Sequence, residues 1–349
     1  IGDQGSLVPP SEAPFRTLKP EKTNSYEFGL AVRLWKKFNA EVTYYKSNTF
    51  NQTFQGSLPE STGYKSIYLQ AGNVENRGWE ASFNYSDKFK NGFAVSSTVT
   101  FSKNINEIKE MVSDYHTDLM SEPLNIPEVL KDRGRTILKV GGSIHDIYAT
   151  RFFKKDGQGF VSVSTDGKFE MEDGAPVYLG KVAPKFNMGW NNSISYKGLG
   201  LSFLINGRFG GVVTSSTEAI LDRFGVSQRS ADARDNGGAL FPGQGTVNAK
   251  AYYQMIGTGN YQTSSYYLYS ATNVRLQELT LSYTMPNKWF GNILKDVNIS
   301  FIANNPWMLY CKAPFDPELT PSTATFGQGN DYFMQPSVRS FGFGVKFKL

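Results

Sequence analysis

Apolar and polar residues alternate with a period of two along much of the chain, the mark of strands with two chemically different faces. From Tyr26 the apolar set is Tyr26, Phe28, Leu30, Val32 and Leu34, interleaved with Glu27, Gly29, Ala31 and Arg33. After Lys36 and Lys37 it resumes as Phe38, Ala40, Val42 and Tyr44, which predicts a hairpin with a short charged turn. Trp79, Ala81, Phe83 and Tyr85 lead through Ser86–Gly92 into Phe93, Val95, Ser97, Val99 and Phe101. A third hairpin joins Phe186, Met188, Trp190, Ile194 and Tyr196 to Leu199, Leu201, Phe203 and Ile205 across Lys197-Gly198. A fourth joins Leu279, Leu281 and Tyr283 to Val297, Ile299 and Phe301, with Pro286-Asn287 in its turn. The last segment reads Phe341, Phe343, Val345, Phe347 and Leu349, separated by Gly342, Gly344, Lys346 and Lys348. Ile147–Phe153 reads as one more strand, and 156–182 as a second strand, a loop excursion or both. The total is about ten or eleven strands.

A two-layer sandwich also alternates, so the connections decide the architecture. Short turns near 36, 88, 198 and 288 take turns with long segments at 47–72, 104–142, 210–272 and 305–336. Loops beyond about 15 residues are uncommon in compact soluble domains. Barrels of the outer membrane, by contrast, have short turns on one side and long loops on the other. The expected fold is an all-β, antiparallel transmembrane β-barrel running through residues 1–349, its first and last strands both descending toward the short-turn side. Trp35, Tyr44, Tyr45, Tyr85, Phe89, Trp190, Tyr196 and Trp289 fall near strand ends, where aromatic girdles sit, although aromatics are also good strand formers.

Composition narrows the choice. Mean hydropathy is −0.37 and only 40% of residues are hydrophobic. No stretch approaches the roughly 18 apolar residues of a membrane helix, a limit that does not touch half-apolar barrel strands. Aromatics reach 14%, with 26 Phe and 19 Tyr. The net charge of +5 is small, and Lys and Arg are scattered along the chain, so nucleic acid is not an expected partner. Cys311 is the single cysteine, which excludes an internal disulfide framework or a cysteine-based zinc site. His116 and His145 are too few for a His-rich metal centre. Ile1-Gly2-Asp3-Gln4-Gly5 has neither a basic nor an apolar leader, and the opening reads as that of a mature fragment.

Leu18-Lys19-Pro20-Glu21-Lys22-Thr23 with Tyr26-Glu27 and Gly29 is similar to the segment that opens a barrel strand in TonB-dependent receptors. Asn73 to Glu80, containing Asn76, Gly78 and Glu80, looks like a segment of the SusC/RagA-like branch of that family. Val274-Arg275-Leu276 with Leu281, Tyr283 and Pro286, and Asn304-Asn305-Pro306-Trp307 with Asp316-Pro317-Glu318, resemble two more. Pro336, Arg339 and Gly344 resemble the closing strand. Pro306 replaces a usual aliphatic residue, and Leu349 a commoner terminal Phe. The resemblance implies active import of oligosaccharides or peptides across the outer membrane of a Gram-negative bacterium of the Bacteroidetes type. It implies a SusD-like lipoprotein as partner, and TonB acting through an N-terminal region absent here. Such importers pair a plug domain with a barrel of about 22 strands, so the plug and the remaining strands are expected N-terminal to this sequence. A non-transporting surface or adhesion barrel is the alternative.

No nucleophile lies in a recognisable turn, and Asp114 and His116 alone make no catalytic set, so enzymatic activity is not expected. Tyr252, Tyr253, Tyr261, Tyr266, Tyr267 and Tyr269 crowd the longest loop, where rings suit sugar or peptide side chains, or simply pack the loop against itself or the lipoprotein lid. Trp307 has the same two readings. No cofactor is expected; Asp316, Glu318 and Asp331 are candidate loop calcium ligands whose spacing fits no defined cation loop. Phe341, Phe343, Val345, Phe347 and Leu349 are expected to face outer-membrane lipid, to seal the barrel and, by the resemblance, to signal its assembly.

Overall fold

A β-strand puts successive side chains on opposite faces, so an alternating sequence becomes a two-faced sheet only if neighbouring strands keep register. In the computed structural model they do. It describes residues 12, 19–57, 64, 66–111, 114–115, 124–125, 130–132, 136–158, 162, 170–241, 245–257, 264–290, 293–319, 321 and 328–348. Nine strands form one antiparallel sheet in chain order: β1 (Lys22–Leu34), β2 (Phe38–Ser57), β3 (Ser66–Lys88), β4 (Ala94–Glu110), β5 (Phe186–Tyr196), β6 (Leu199–Phe209), β7 (Asn273–Thr284), β8 (Lys295–Cys311) and β9 (Ser340–Lys348). One row across the sheet runs Leu201, Leu281, Phe301, Phe343. Another runs Leu30, Val42, Ala81, Phe101, Met188. The opposite face carries rows such as Asn39, Asn84, Thr98, Asn191.

The four expected hairpins are present, but the long loops are shorter than alternation indicated. β2 and β3 have 20 and 23 residues, about twice what a tilted strand needs to cross a membrane. They therefore continue through Ser47–Ser57 and Ser66–Gly72, a span expected to be loop. β4 likewise runs on to Glu110 and β8 to Cys311. Beyond an apolar band both faces of a strand are wet, so the ladder continues after the alternation that reveals it has stopped.

The strand expected at Ile147–Phe153 exists as Asp146–Phe153, but it lies outside the wall. It pairs with Met171–Lys181 and with Thr136–Leu138 in a separate four-stranded sheet. The wall thus holds nine strands among the described residues, not ten or eleven. All larger connections leave the same end of the wall. There the 210–272 segment folds into a cap with α1 (Ser216–Arg223), α2 (Gln228–Asp235) and α3 (Ala249–Gly257). The conventional hydrophobic cores sit in these connections: Ala239, Tyr252, Ile256 and Tyr267 form one, and Val213, Ala271 and Ala313 another.

Candidate functional site

The polar face of the wall forms a depression of about 570 Å³. Glu41 and Thr43 of β2 and Glu80 and Ser82 of β3 line one flank, Asn206 and Arg208 of β6 the other, and Glu318 reaches in from the connection after β8. The side chains form rungs across strands. Asn39 Nδ2 donates to Asn84 Oδ1 (3.2 Å), and Asn84 Nδ2 to Thr98 Oγ1 (2.8 Å). Such a surface offers a hydrated solute many shallow hydrogen-bonding positions and no deep trap. Gly78 is needed here: a Cβ would stand 2.5 Å from the Tyr45 ring and 2.3 Å from the Lys103 carbonyl. Tyr45 lies across this bare backbone and donates its hydroxyl proton to Asn104 Oδ1 (3.2 Å).

Loops fold back onto the upper part of this face. Asn106 Oδ1 accepts from Ser143 Oγ (2.9 Å) and from the Ile144 amide (3.0 Å). Arg208 Nη2 donates to the Val182 carbonyl (2.9 Å). Arg275 of β7 holds Asp316 through Nη2 (2.8 Å) and Nη1 (3.2 Å) and also pairs with Glu318 (3.3 Å). Burial would raise the Asp316 pKa, but the Arg275 fork, Ser337 and the Glu318 amide outweigh it and hold the carboxyl below the usual range. Burial pushes the His145 imidazole down, against a smaller opposing pull from Asp146.

The cap is organised around Asp222, whose side chain is fully buried. It accepts from Tyr267 Oη (2.9 Å), Arg229 Nε (2.9 Å) and Ser227 Oγ. Ser215 and Ser227 cap α1 and α2 by accepting from the amides of Glu218 and Ser230. Gly257 lets α3 approach α1 closely, since a Cβ would lie 2.4 Å from the Ala219 carbonyl.

The expected site residues divide. Tyr252 and Tyr267 are buried in the cap core, and burial raises both phenols well above their ordinary value. Tyr253 bonds the Arg229 carbonyl, and Tyr269 bonds Glu218. These four tyrosines are held within the cap by burial or by their hydroxyl bonds. Of the described members Tyr266 keeps an exposed ring, while its hydroxyl meets that of Tyr252. Tyr261 lies outside the described residues. Trp307 pairs with Leu276 on the apolar face, away from the depression. Phe341, Phe343, Val345 and Phe347 stand exposed on β9 with Phe341 and Phe343 against Phe301, and Leu349 lies outside the described residues. Asp316 and Glu318 serve Arg275, Asp331 accepts from Ser215, and no cluster of three metal-ligating side chains forms among the described residues. His116 is outside them. Sequence reasoning missed Asp222, whose partners come from as far as 45 residues away, and the Glu41–Glu80–Arg208 depression. Only the charged residues at inward strand positions signalled the latter.

The chain is similar to known proteins over nearly its whole length. A TonB-dependent receptor P3 of Formosa agariphila is 24% identical over 95% of this chain and 34% of its own length. SusC of Bacteroides thetaiotaomicron is 22% identical over 86% of this chain and 30% of its own length. In structure it is similar to the RagAB peptide transporter, with a TM-score of 0.66 at 18% identity over 94% of this chain and 35% of that one. The chain therefore spans about a third of the length of these relatives. The family model for the TonB dependent receptor-like β-barrel matches residues 4–256, most of the chain, and with the two-faced sheet above it this shows that the chain belongs to that family.

Proposed function

We propose that this chain supplies part of the barrel wall and the external loops of an outer-membrane importer for large nutrients, oligosaccharides or peptides. The family consists of receptors and transporters, not enzymes. The observation that carries the reading is the register-continuous sheet with an apolar band on one face and a hydrogen-bonding depression on the other. Lipid suits the first face and hydrated cargo the second. In this reading a plug and the remaining strands belong to the same longer protein, and TonB delivers energy through the plug. A SusD-like lipoprotein closes the outer mouth, where the cap exposes Phe224, Val226 and Leu240. Loop calcium, if bound, would involve Asp316 and Glu318 only after they release Arg275.

The test is uptake by cells carrying or lacking the whole gene, using fluorescent oligosaccharides and peptides with and without a protonophore. Energy-dependent accumulation of either class, lost on deletion, supports import. Surface exposure and adhesion without uptake of either class would instead make the barrel a non-transporting surface protein. Affinity purification of the tagged protein from membranes should also yield a lipoprotein in near-equal amount.

A further inference from the structure

Nine of the 24 lysines, far apart in the sequence, meet at one rim of the wall, and each short turn pairs them with an aromatic. The first turn reads Trp35-Lys36-Lys37 and the second Lys88-Phe89-Lys90. The third reads Tyr196-Lys197, the fourth holds Lys288-Trp289 and later Lys295, and β9 ends on Lys346-Phe347-Lys348. Among the described residues the carboxylate side chains at this rim are Asp87 and Asp296. These take Lys37 (2.7 Å) and Lys348 (2.6 Å), so the other seven lysines form no ion pair among the described residues. Trp35 is 77% exposed and Trp289 59%. The Lys197 ammonium lies 5.1 Å from the centre of the Tyr196 ring.

The opposite end of the same wall behaves differently. Above Tyr44 and Trp79, Glu75 is enclosed by Lys46 (2.7 Å), Arg77 and Lys109, and Glu107 takes Lys109 (2.8 Å). These carboxylates are met within the protein, although Lys22 and Lys312 at this end form no ion pair among the described residues. At the short-turn rim the seven unpaired lysines stand beside exposed rings of the kind that settle at the boundary between acyl chains and headgroups. An ammonium on a four-carbon stem reaches one layer further out, to the phosphates.

We infer that the short-turn rim is a docking surface for anionic phospholipid headgroups of the leaflet it meets. Each aromatic sets the depth, and the adjoining lysines gather phosphodiesters. The inference rests on the barrel spanning a membrane, so its test must separate the two failures. The whole protein is reconstituted, and spin-labelled phosphatidylglycerol and phosphatidylcholine report the lipid held against it. At low salt phosphatidylglycerol is expected to associate about three-fold more strongly, falling toward parity near ~0.5 M salt as screening removes the attraction. The variant K36Q/K88Q/K90Q/K197Q/K288Q, altered only at exposed positions of this rim, should lose the preference, whereas K250Q/K312Q, on the loop side, should keep it. Parity at low salt in the unaltered protein, or a preference the five-fold variant retains, overturns the inference while leaving the barrel intact. Parity together with lysine-dependent capture of an acidic soluble protein would reassign the rim to a protein partner. No immobilised lipid of either kind would instead remove the membrane-spanning reading beneath it.

Discussion

The wall and the cap use the same residue types in opposite ways. In the wall large apolar side chains stand exposed on one face, with Phe28 at 68% and Phe343 at 83%. In the cap a set of them is hidden, with Ile256 at 2% and Tyr267 at 3%, while Phe224, Val226 and Leu240 remain on its surface. A sheet whose outer solvent is hydrocarbon needs no interior core; it needs every backbone group paired and its apolar face turned outward. The cap stands in water and must bury its rings, and it must then satisfy each polar group buried with them. The wall is therefore specified by alternation and register, and the cap by tertiary contacts between distant residues.

The comparison breaks most readily at Asp222. Replacing it with Ala leaves the buried Tyr267 hydroxyl without its acceptor and Arg229 with the more distant Glu218 (3.5 Å), a loss of about 3–5 kcal/mol by analogy with other broken buried pairs. Hydrogen exchange should rise across 216–271 and stay unchanged in β5–β8; a rise in both would mean that cap and wall fold as one unit. Next in size is Leu281→Arg in the apolar band, expected to cost about 2–4 kcal/mol in a bilayer. Ser282→Arg, one position away on the polar face, should cost far less, and denaturant titration in lipid vesicles compares the two. Equal costs would contradict the assignment of faces.

Gly78→Ala sharpens the contrast within the wall by forcing Tyr45 off the bare backbone, at about 1–3 kcal/mol. In a Tyr45→Ala background the part of that cost due to the ring should disappear, a coupling a double-mutant cycle would read. The smallest effect is pH-dependent. Because the folded pKa of Asp316 is depressed, its contribution is present above the ordinary carboxylate pKa and is lost as pH falls through the lower folded value. A spin label at Leu319, in a Cys311→Ala background, should become more mobile below about pH 4. Asp316→Asn should make that mobility independent of pH.

The hairpins were legible because a strand with hydrocarbon on one side and water on the other must alternate. Phe38 to Tyr44 and Phe341 to Phe347 show this directly. The upper ends of β2 and β3 were not legible, since Ser47–Ser57 is mostly polar and carries no alternation to detect. The candidate site was legible only in part. The tyrosine run marked the cap correctly as a place rich in rings, but whether Tyr252 is buried and Tyr266 exposed depends on how α3 meets Ala239 and the 264–267 turn.

What the sequence by itself determined is the strand-by-strand alternation, the positions of the short turns and, through the motif resemblance, the family. These are local properties, each carried by residues a few positions apart. Tertiary structure alone decided that Asp146–Phe153 leaves the wall, that Trp307 faces the apolar side and that Asp222 meets Tyr267. It also brought lysines separated by up to 312 positions, from Lys36 to Lys348, onto one rim. Antiparallel pairing is the reason: it returns the chain to the same level at every second turn, so charge that is dilute along the sequence becomes concentrated along an edge.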